Sequence, residues 1–313
     1  LHPLLSIIII NHDTLEITLK CLKHLEEALL NVTFQAEIIV IDNSENSNDK
    51  AVFCSSFPQV LYHQIENEGF GRANNYGAKE AKGKYLAFVN SDLFITHNLL
   101  KDHVQYLENE EIDVVSVSQI DDQGQPLAFP YYFFHQTDSI LDYFLQSPFC
   151  FKLLGPRKLH SITSLSGAYF IMKKALYEDI QGFDPDFFLY AEDIELFTHR
   201  LKGRKFYLDT KNQVIHNTNS SSKSSRNTFI QMYLSEALKW YKYGYLKYLL
   251  YVVLTYAVYL PQWLILSLLP FEGKEYNQQL VKTHWVLLPF LLFTIPRFSN
   301  RYGSRQKPLR YNE

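Results

Sequence analysis

Leu4-Leu5-Ser6-Ile7-Ile8-Ile9-Ile10-Asn11-His12-Asp13-Thr14 is an almost unbroken apolar run that stops on polar side chains. The pattern returns at residues 37–41 before Asp42-Asn43-Ser44, and at residues 85–89 before Asn90-Ser91-Asp92. Residues 60–65 and 114–117 are further runs rich in Val, Ile and aromatics. Short apolar runs of this composition are strands, and continuous rather than alternating hydrophobicity means that both faces are covered. Between them the period changes. Thr14 is placed to cap a helix whose Leu15, Leu19, Leu22, Leu25 and Leu29 fall on one stripe, and residues 72–82 make a second helix stopping at Gly83. Strands alternating with helices predict a mostly parallel, Rossmann-like α/β sheet, and such sheets bind ligands beyond the carboxyl ends of their strands. One polar ending is an ordinary turn or cap. Three on the same edge are harder to explain that way.

The 313 residues, 47% hydrophobic and 20% charged, suffice for one large core or two moderate ones. That excludes disordered, collagen-like and small disulfide-stapled chains. Cys21, Cys54 and Cys150 lie far apart with no C-x-x-C pair, which gives neither zinc-ligand spacing nor a disulfide framework and points to a reducing compartment. The first apolar run lacks a basic flank and a cleavage site, so it is expected to be a buried strand rather than a signal peptide.

The net charge of −3 is unevenly spread. From Asn217 onward there are 12 Lys and Arg against 4 Asp and Glu, a surplus of 8, which leaves 18 against 29 before it. The basic part also holds Trp240, Trp263, Trp285 and 11 of the 22 Tyr, a composition suited to a membrane interface. Nucleic acid is not expected, because long uncharged apolar runs interrupt the basic region. The expected division is an α/β domain over residues 1–218 and a helical, membrane-associating region over 219–313. In the latter, Phe229, Tyr233, Leu234, Ala237, Leu238 and Tyr241 form a stripe with Lys239 and Lys242 on its other side. Residues 248–269 carry no formal charge and are long enough to cross a bilayer, yet contain four Tyr, Pro261 and Gln262. Residues 285–296 are too short to cross, and Arg297, Arg301, Arg305, Lys307 and Arg310 follow. Together these predict helices lying in or dipping into the anionic interface, with a soluble subdomain or homodimer interface as the alternative.

The middle, residues 121–166, is turn-rich and aromatic, and reads as the acceptor-side half of the first domain. Then come Ser166-Gly167-Ala168-Tyr169, Gly182-Phe183-Asp184, and Phe188-Leu189-Tyr190-Ala191-Glu192-Asp193-Ile194-Glu195-Leu196, with Val214-Ile215-His216 beyond. Three carboxylates in four positions repel one another, which raises the pKa of at least one and suits a general base; a solvated acidic helix start is the plainer reading.

These pieces, in this order, resemble glycosyltransferase family 2, the bacterial rhamnosyltransferase-like branch, over about residues 4 to 220. The resemblance also rests on Asn67-Glu68-Gly69-Phe70-Gly71-Arg72-Ala73-Asn74-Asn75. It implies a GT-A nucleotide-sugar-binding fold and an inverting transfer from a nucleoside-diphosphate sugar, with dTDP-rhamnose suggested by the branch. By position it gives Asp42 to the donor's base and Asp92, which closes Asn90-Ser91-Asp92, to a Mg²⁺ or Mn²⁺ bridging the diphosphate, with His216 beside it. A hard cation needs few protein ligands when phosphates supply the rest. Asn11, His12, Asn67, Arg72, Asn75, Asn90 and Ser91 complete the implied donor site. His12 stands where the family usually has an aromatic residue, and Arg72 where a small one is commoner. Asp193 matches the catalytic base and Glu192 its neighbour. The implied acceptor is a saccharide, carried on polyprenyl diphosphate if the chain works at the cytoplasmic face of the plasma membrane as a peripheral or monotopic protein. A silent homologue acting as a scaffold would lack Asp92 or Asp193, and a sugar nucleotidyltransferase would carry a glycine-rich basic loop after the first strand; neither feature is found. Gly69-Phe70-Gly71 follows the third strand and lacks a final glycine, which argues against a dinucleotide site.

Overall fold

The computed structural model describes residues 2–44, 49–95, 98–108, 111–127, 139–140, 165–217, 226–268, 278, 280–285 and 287. Its first half is β1 (Leu5–Asn11), α1 (Leu15–Leu29), β2 (Ala36–Asp42), α2 (Lys50–Ser56), β3 (Leu61–Gln64), α3 (Phe70–Glu80) and β4 (Tyr85–Asn90). Then follow β5 (Leu93–Phe94), α4 (Leu99–Glu108), β6 (Val114–Ile120), β7 (Tyr169–Lys173), α5 (Lys174–Asp179), the single turn α6 (Glu192–Glu195) running into a π-helical turn (Leu196–Arg200), and β8 (Phe206–His216). The C-terminal helices are α7 (Arg226–Lys242), α8 (Tyr245–Leu254), a π-helical turn (Thr255–Tyr259) and α9 (Leu260–Leu268).

Eight strands among the described residues form one sheet in the order β3-β2-β1-β4-β7-β6-β8-β5. β3, β2, β1 and β4 are parallel, β7 is inserted antiparallel between β4 and β6, and β6 and β8 again run with β4. The sheet is therefore mixed, with only β5 and β7 reversed. The sequence did not mark β7 as a strand, because its pairing with Tyr85–Val89 joins segments some eighty residues apart.

Alternation along β1 builds two cores. Leu5, Ile7 and Ile9 pack with Leu22 and Leu25 of α1 and Leu99, Leu100 and Val104 of α4. Ile8 and Ile10 pack on the other face with Ala73 and Ala78 of α3, Phe183 and Phe197. Each Leu, Ile, Val or Phe among them, removed from water, stabilises the fold by about 1.5–3 kcal/mol. Register then places the polar endings together, since Asn11 pairs with Asp42 and Ile10 with Asn90.

Two helix starts differ from expectation. α3 begins at Phe70 rather than 72, because Gly69, at φ +108°, turns the chain so that the Phe70 amide donates to the Phe188 carbonyl at 2.9 Å. The Thr14 hydroxyl caps no amide of α1; it donates to Asn11 Oδ1 at 3.1 Å.

A larger correction concerns α7. Its residues from Gln231 to Lys242 are buried or half-buried on every side, so Lys239 and Lys242 do not form a solvent-facing basic stripe. Lys242 is buried against Asp184 (2.8 Å) and Asp186 (2.6 Å), and Lys239 against Glu236 (2.8 Å). Buried ammonium groups need carboxylate partners, and the loop after Gly182 supplies two of them. Tyr233, Ala237, Leu238, Trp240 and Tyr241 share a third core with Phe187 and Ala191 of that loop and with Tyr248, Tyr251 and Trp263.

Tyr245–Ile265 is one helix long and apolar enough to cross a membrane by length and composition, with a mean hydropathy of 1.4 in its most apolar stretch, a third of which is buried. Leu246, Leu249, Leu250 and Val253 lie exposed on one face of α8, while Tyr248, Tyr251 and Val252 are buried on the other. Most of the aromatic middle region, most of residues 285–296 and the basic tail from Arg297 lie outside the described residues.

Candidate active site

The edge formed by the ends of β1, β2 and β4 is densely hydrogen-bonded. Asp42 is fully buried. Its Oδ1 accepts from Asn11 Nδ2 (3.1 Å), the Ser44 amide (3.0 Å) and the Ser44 hydroxyl (2.6 Å), and its Oδ2 from the Tyr62 hydroxyl (2.5 Å). Asn11 Oδ1 in turn accepts from Thr14 and Thr18. The buried edge thus fixes the loops above it. His12 stands exposed on this edge, its Nδ1 3.2 Å from the Asn43 carbonyl. Asn67 Oδ1 accepts from Asn43 Nδ2 and the Gly69 amide, ordering the entry to α3.

Two expected donor contacts are engaged elsewhere. Both ends of the Asn75 amide are used: Nδ2 donates to the Phe183 carbonyl (2.8 Å), and Oδ1 accepts from the Phe183 amide (2.9 Å) and the Tyr177 hydroxyl (2.5 Å). Asn75 therefore clamps the Gly182-Phe183 turn. Arg72 Nε donates to the Pro185 carbonyl at 2.8 Å, and its guanidinium lies 3.5 Å from Glu68.

At the end of β4 the structure brings Asp92 and His216 together. Strand β5 pairs with the end of β8, and the Asn217 amide donates to the Asp92 carbonyl. Asp92 Oδ1 then lies 3.3 Å from His216 Nε2. His216 Nδ1 is 2.8 Å from Gln119 Oε1. With the amide in that orientation Nδ1 donates to Oε1 and Nε2 is turned to the Asp92 carboxylate, where its deprotonated form would present a lone pair. Two acceptors so placed fit a cation. Ser91 Oγ, beside them in sequence, is 3.3 Å from Thr14 Oγ1, and Asn90 Oδ1 is buried with no hydrogen-bond partner. No group of three or more His, Cys, Asp or Glu with metal-ligand geometry occurs among the described residues. Asp92 and His216 alone would leave most ligands of a hard ion to phosphate and water.

The second cluster sits at α6. Tyr190 and Ala191 both take left-handed backbone conformations (φ +68° and +63°), an unusual pair for residues with side chains. This kink swings Glu192 and Asp193 inward. Asp193 Oδ2 accepts from the Gly167 amide at 3.1 Å and Oδ1 from the Ile194 amide at 2.8 Å. Glu192 Oε2 is buried without a partner. Burial, and secondarily the charge of Asp193, push the Glu192 carboxyl up to about 8. Burial also raises Asp193, against the opposing pull of the two amides and of Lys239. Burial of an oxygen without a hydrogen-bond partner favours the neutral form of Glu192, while two amides favour the charged form of Asp193. Glu195 belongs elsewhere: it is fully buried and ion-paired to Arg200 at 3.1 Å, which also reaches Asp184.

The family model described as "Glycosyl transferase family 2" matches residues 6–181, more than half of the chain, and the chain belongs to that family. Among its relatives, the rhamnosyltransferase WbbL of Escherichia coli K12 is 23% identical over 231 residues, covering 68% of this chain and 81% of that one. Glycosyltransferase GlyG of Streptococcus pneumoniae serotype 4 is 24% identical over 183 residues, 56% and 59% of the two chains. An uncharacterized glycosyltransferase of Rickettsia bellii is 33% identical, over only 15% of its own length. The chain thus spans little of one of these relatives and well under two thirds of another. Of solved structures, the Pyrobaculum calidifontis mannosyltransferase PcManGT with GDP-Man and Mn²⁺ superposes with a TM-score of 0.52 at 14% identity, covering 92% of this chain and 81% of that one. TarS of S. aureus in complex with UDP gives 0.50 at 17%, with coverage of 96% and 75%. The fold is the GT-A fold.

One residue that the sequence placed in a motif was given no role there. Gly167 leaves room for Asp193, since a Cβ there would lie 2.7 Å from the Asp193 Cβ; its signal was a glycine directly before an apolar run.

Proposed function

We propose that this chain is an inverting glycosyltransferase that moves a sugar from a nucleoside-diphosphate donor, a dTDP-sugar such as dTDP-rhamnose, to a saccharide carried on polyprenyl diphosphate in surface-polysaccharide assembly. The observation that carries the reading is the inward-turned carboxylate pair Glu192–Asp193, held by the Gly167 amide within a chain that also brings Asp92 to His216. Asp193 accepts the proton of the acceptor hydroxyl as its oxygen attacks the anomeric carbon from the side opposite the leaving diphosphate, so configuration inverts. General-base assistance of this kind contributes about 10² to 10⁴ in rate. Asp92 and His216 would hold Mg²⁺ or Mn²⁺, which when bound supplies positive charge for the departing diphosphate. Asp42, Asn11 and Asn67 shape the base pocket from behind, with His12 exposed at its rim; Asn90 and Ser91 flank the diphosphate position. Arg72 and Asn75 act by holding the loop at residues 183–185.

The donor class is supported by the nucleotides in the related structures, the rhamnosyl group by the name of WbbL, and the envelope setting by that of a "Minor teichoic acid biosynthesis protein", GgaB of Bacillus subtilis, 25% identical over 100 residues. A membrane-bound acceptor agrees with the apolar face of α8, which we place in the cytoplasmic leaflet with the helix lying at the interface. The domain division near residue 218 is kept, with α7 docked on the first domain. Incubation with a panel of UDP-, GDP- and dTDP-sugars in Mg²⁺ or Mn²⁺ tests this: release of nucleoside diphosphate from one of them, abolished by EDTA, is expected. Release from none of them, with or without metal, contradicts it.

A further inference from the structure

The loop that carries the carboxylate pair is held from two sides just before it kinks. The Phe188 carbonyl accepts from the Phe70 amide of α3 at 2.9 Å, and the next carbonyl, that of Leu189, from Ser235 Oγ of α7 at 2.6 Å. Because the Ser235 proton is used there, Gln231 Nε2, 3.0 Å away and one turn earlier in α7, donates to Ser235 Oγ. Tyr190 and Ala191 follow in left-handed conformations, and Ala191 is buried in the core that Ala237 and Trp240 of α7 share. Beyond the carboxylates, Thr198 Oγ1 donates to the Ile194 carbonyl at 2.6 Å, which makes the Tyr243 hydroxyl, 2.8 Å from it, the donor to Thr198. Tyr243 directly follows α7.

Two consecutive left-handed residues with side chains are strained, and such strain persists only where the surroundings over-determine the backbone. Here α7 grips the chain on both sides of it. We infer that Ser235 and Tyr243 are positioning residues of the transfer site: from one helix they fix the chain before and after the Tyr190-Ala191 kink, and so keep Glu192 and Asp193 turned inward. The inference rests on the reading of Asp193 as the base. It gives α7, which belongs to the C-terminal region, a part in the geometry of the reaction. The donor edge is built from other elements, β1, β2 and β4, so loosening the kink should act on turnover and spare nucleotide affinity.

Ser235→Ala tests this. Turnover, read as nucleoside-diphosphate release from the nucleotide sugar that wild type consumes, should fall by about 5-fold or more, while the dissociation constant for dTDP stays within about twofold. The amides of Ile194 and Glu195, bonded to Asp193 Oδ1 and to the Ala191 carbonyl, should exchange with deuterium about 10-fold faster, a readout that needs no substrate. Glycine takes a left-handed conformation without strain. Ala191→Gly added to Ser235→Ala should therefore recover about half of each loss, which identifies the kink as the point of action.

A serine that only supports the fold would lower thermal stability and leave turnover and the exchange of these two amides as in wild type. Either quantity unmoved in Ser235→Ala, or no recovery on adding Ala191→Gly, overturns the inference. Should Ser235→Ala fail to fold, Tyr243→Phe decides, since it keeps the ring against His199 and Trp240 and removes only the hydroxyl: a fall in turnover supports the inference and wild-type turnover overturns it. Sugar transfer that survives Asp193→Asn would instead remove the base reading, and it is told apart because the exchange in Ser235→Ala does not depend on which carboxylate is the base.

Discussion

The Gly167 amide donates to Asp193 Oδ2 at 3.1 Å, and the absence of a side chain at 167 is what allows the approach, since a Cβ there would meet the Asp193 Cβ at 2.7 Å and Oδ2 at 3.0 Å. Contacts under 3.0 Å between such atoms force a displacement, and a displacement of about 1 Å at a reacting group costs on the order of 10²-fold in rate. Gly167→Ala should accordingly lower turnover by about that factor while binding nucleoside diphosphate as wild type does, which titration calorimetry measures. Undiminished turnover would mean that Asp193 is not held here during transfer.

Glu192 provides a test by pH. Its carboxyl, near 8 in the folded protein against 4.5 ordinarily, is raised by burial first and by Asp193 second. A group raised in this way favours the folded state fully below its unfolded value, and the contribution is lost as pH rises through the folded one. Urea midpoints should fall between about pH 5 and pH 8 in wild type, and more shallowly in Glu192→Gln, which cannot ionise. Parallel curves for the two proteins would show that Glu192 is not the buried, proton-holding member of the pair.

Much of this was legible in the sequence, for identifiable reasons. β1, β2 and β4 are buried on both faces, so each is written as a continuous apolar run whose end marks the edge of the site. The pairing of Asp92 with His216 was legible only through resemblance, because it depends on β8 returning beside β5. What escaped was non-local. β7 takes its place from strands distant in sequence, and Gly167 matters only because the kink at Tyr190-Ala191 brings Asp193 onto it. Lys239 and Lys242 lie opposite the apolar stripe in the helical pattern, which cannot reveal that Asp184 and Asp186 of a distant loop receive Lys242. Asn75 and Arg72 lie in the right motif, yet their hydrogen bonds run to the loop at 183–185 rather than toward open space.

The apolar face of α8 yields a prediction about lipid. Leu246, Leu249 and Val253 are 70%, 40% and 58% exposed on one side of a helix whose other side is packed. Replacing all three with Gln should weaken binding to anionic vesicles by about 10-fold or more, while leaving thermal stability near wild type. Flotation at high salt separates the terms, since electrostatic attraction is screened and apolar insertion is not. Equal high-salt retention of wild type and triple variant would place the contact elsewhere.

The base assignment itself is tested most directly by Asp193→Asn, nearly isosteric and still able to accept the Gly167 amide but unable to take a proton at neutral pH. With the nucleotide sugar that wild type consumes, transfer should fall by about 10² or more while the dissociation constant for nucleoside diphosphate changes by less than about twofold. Transfer at the wild-type rate in Asp193→Asn would contradict the account.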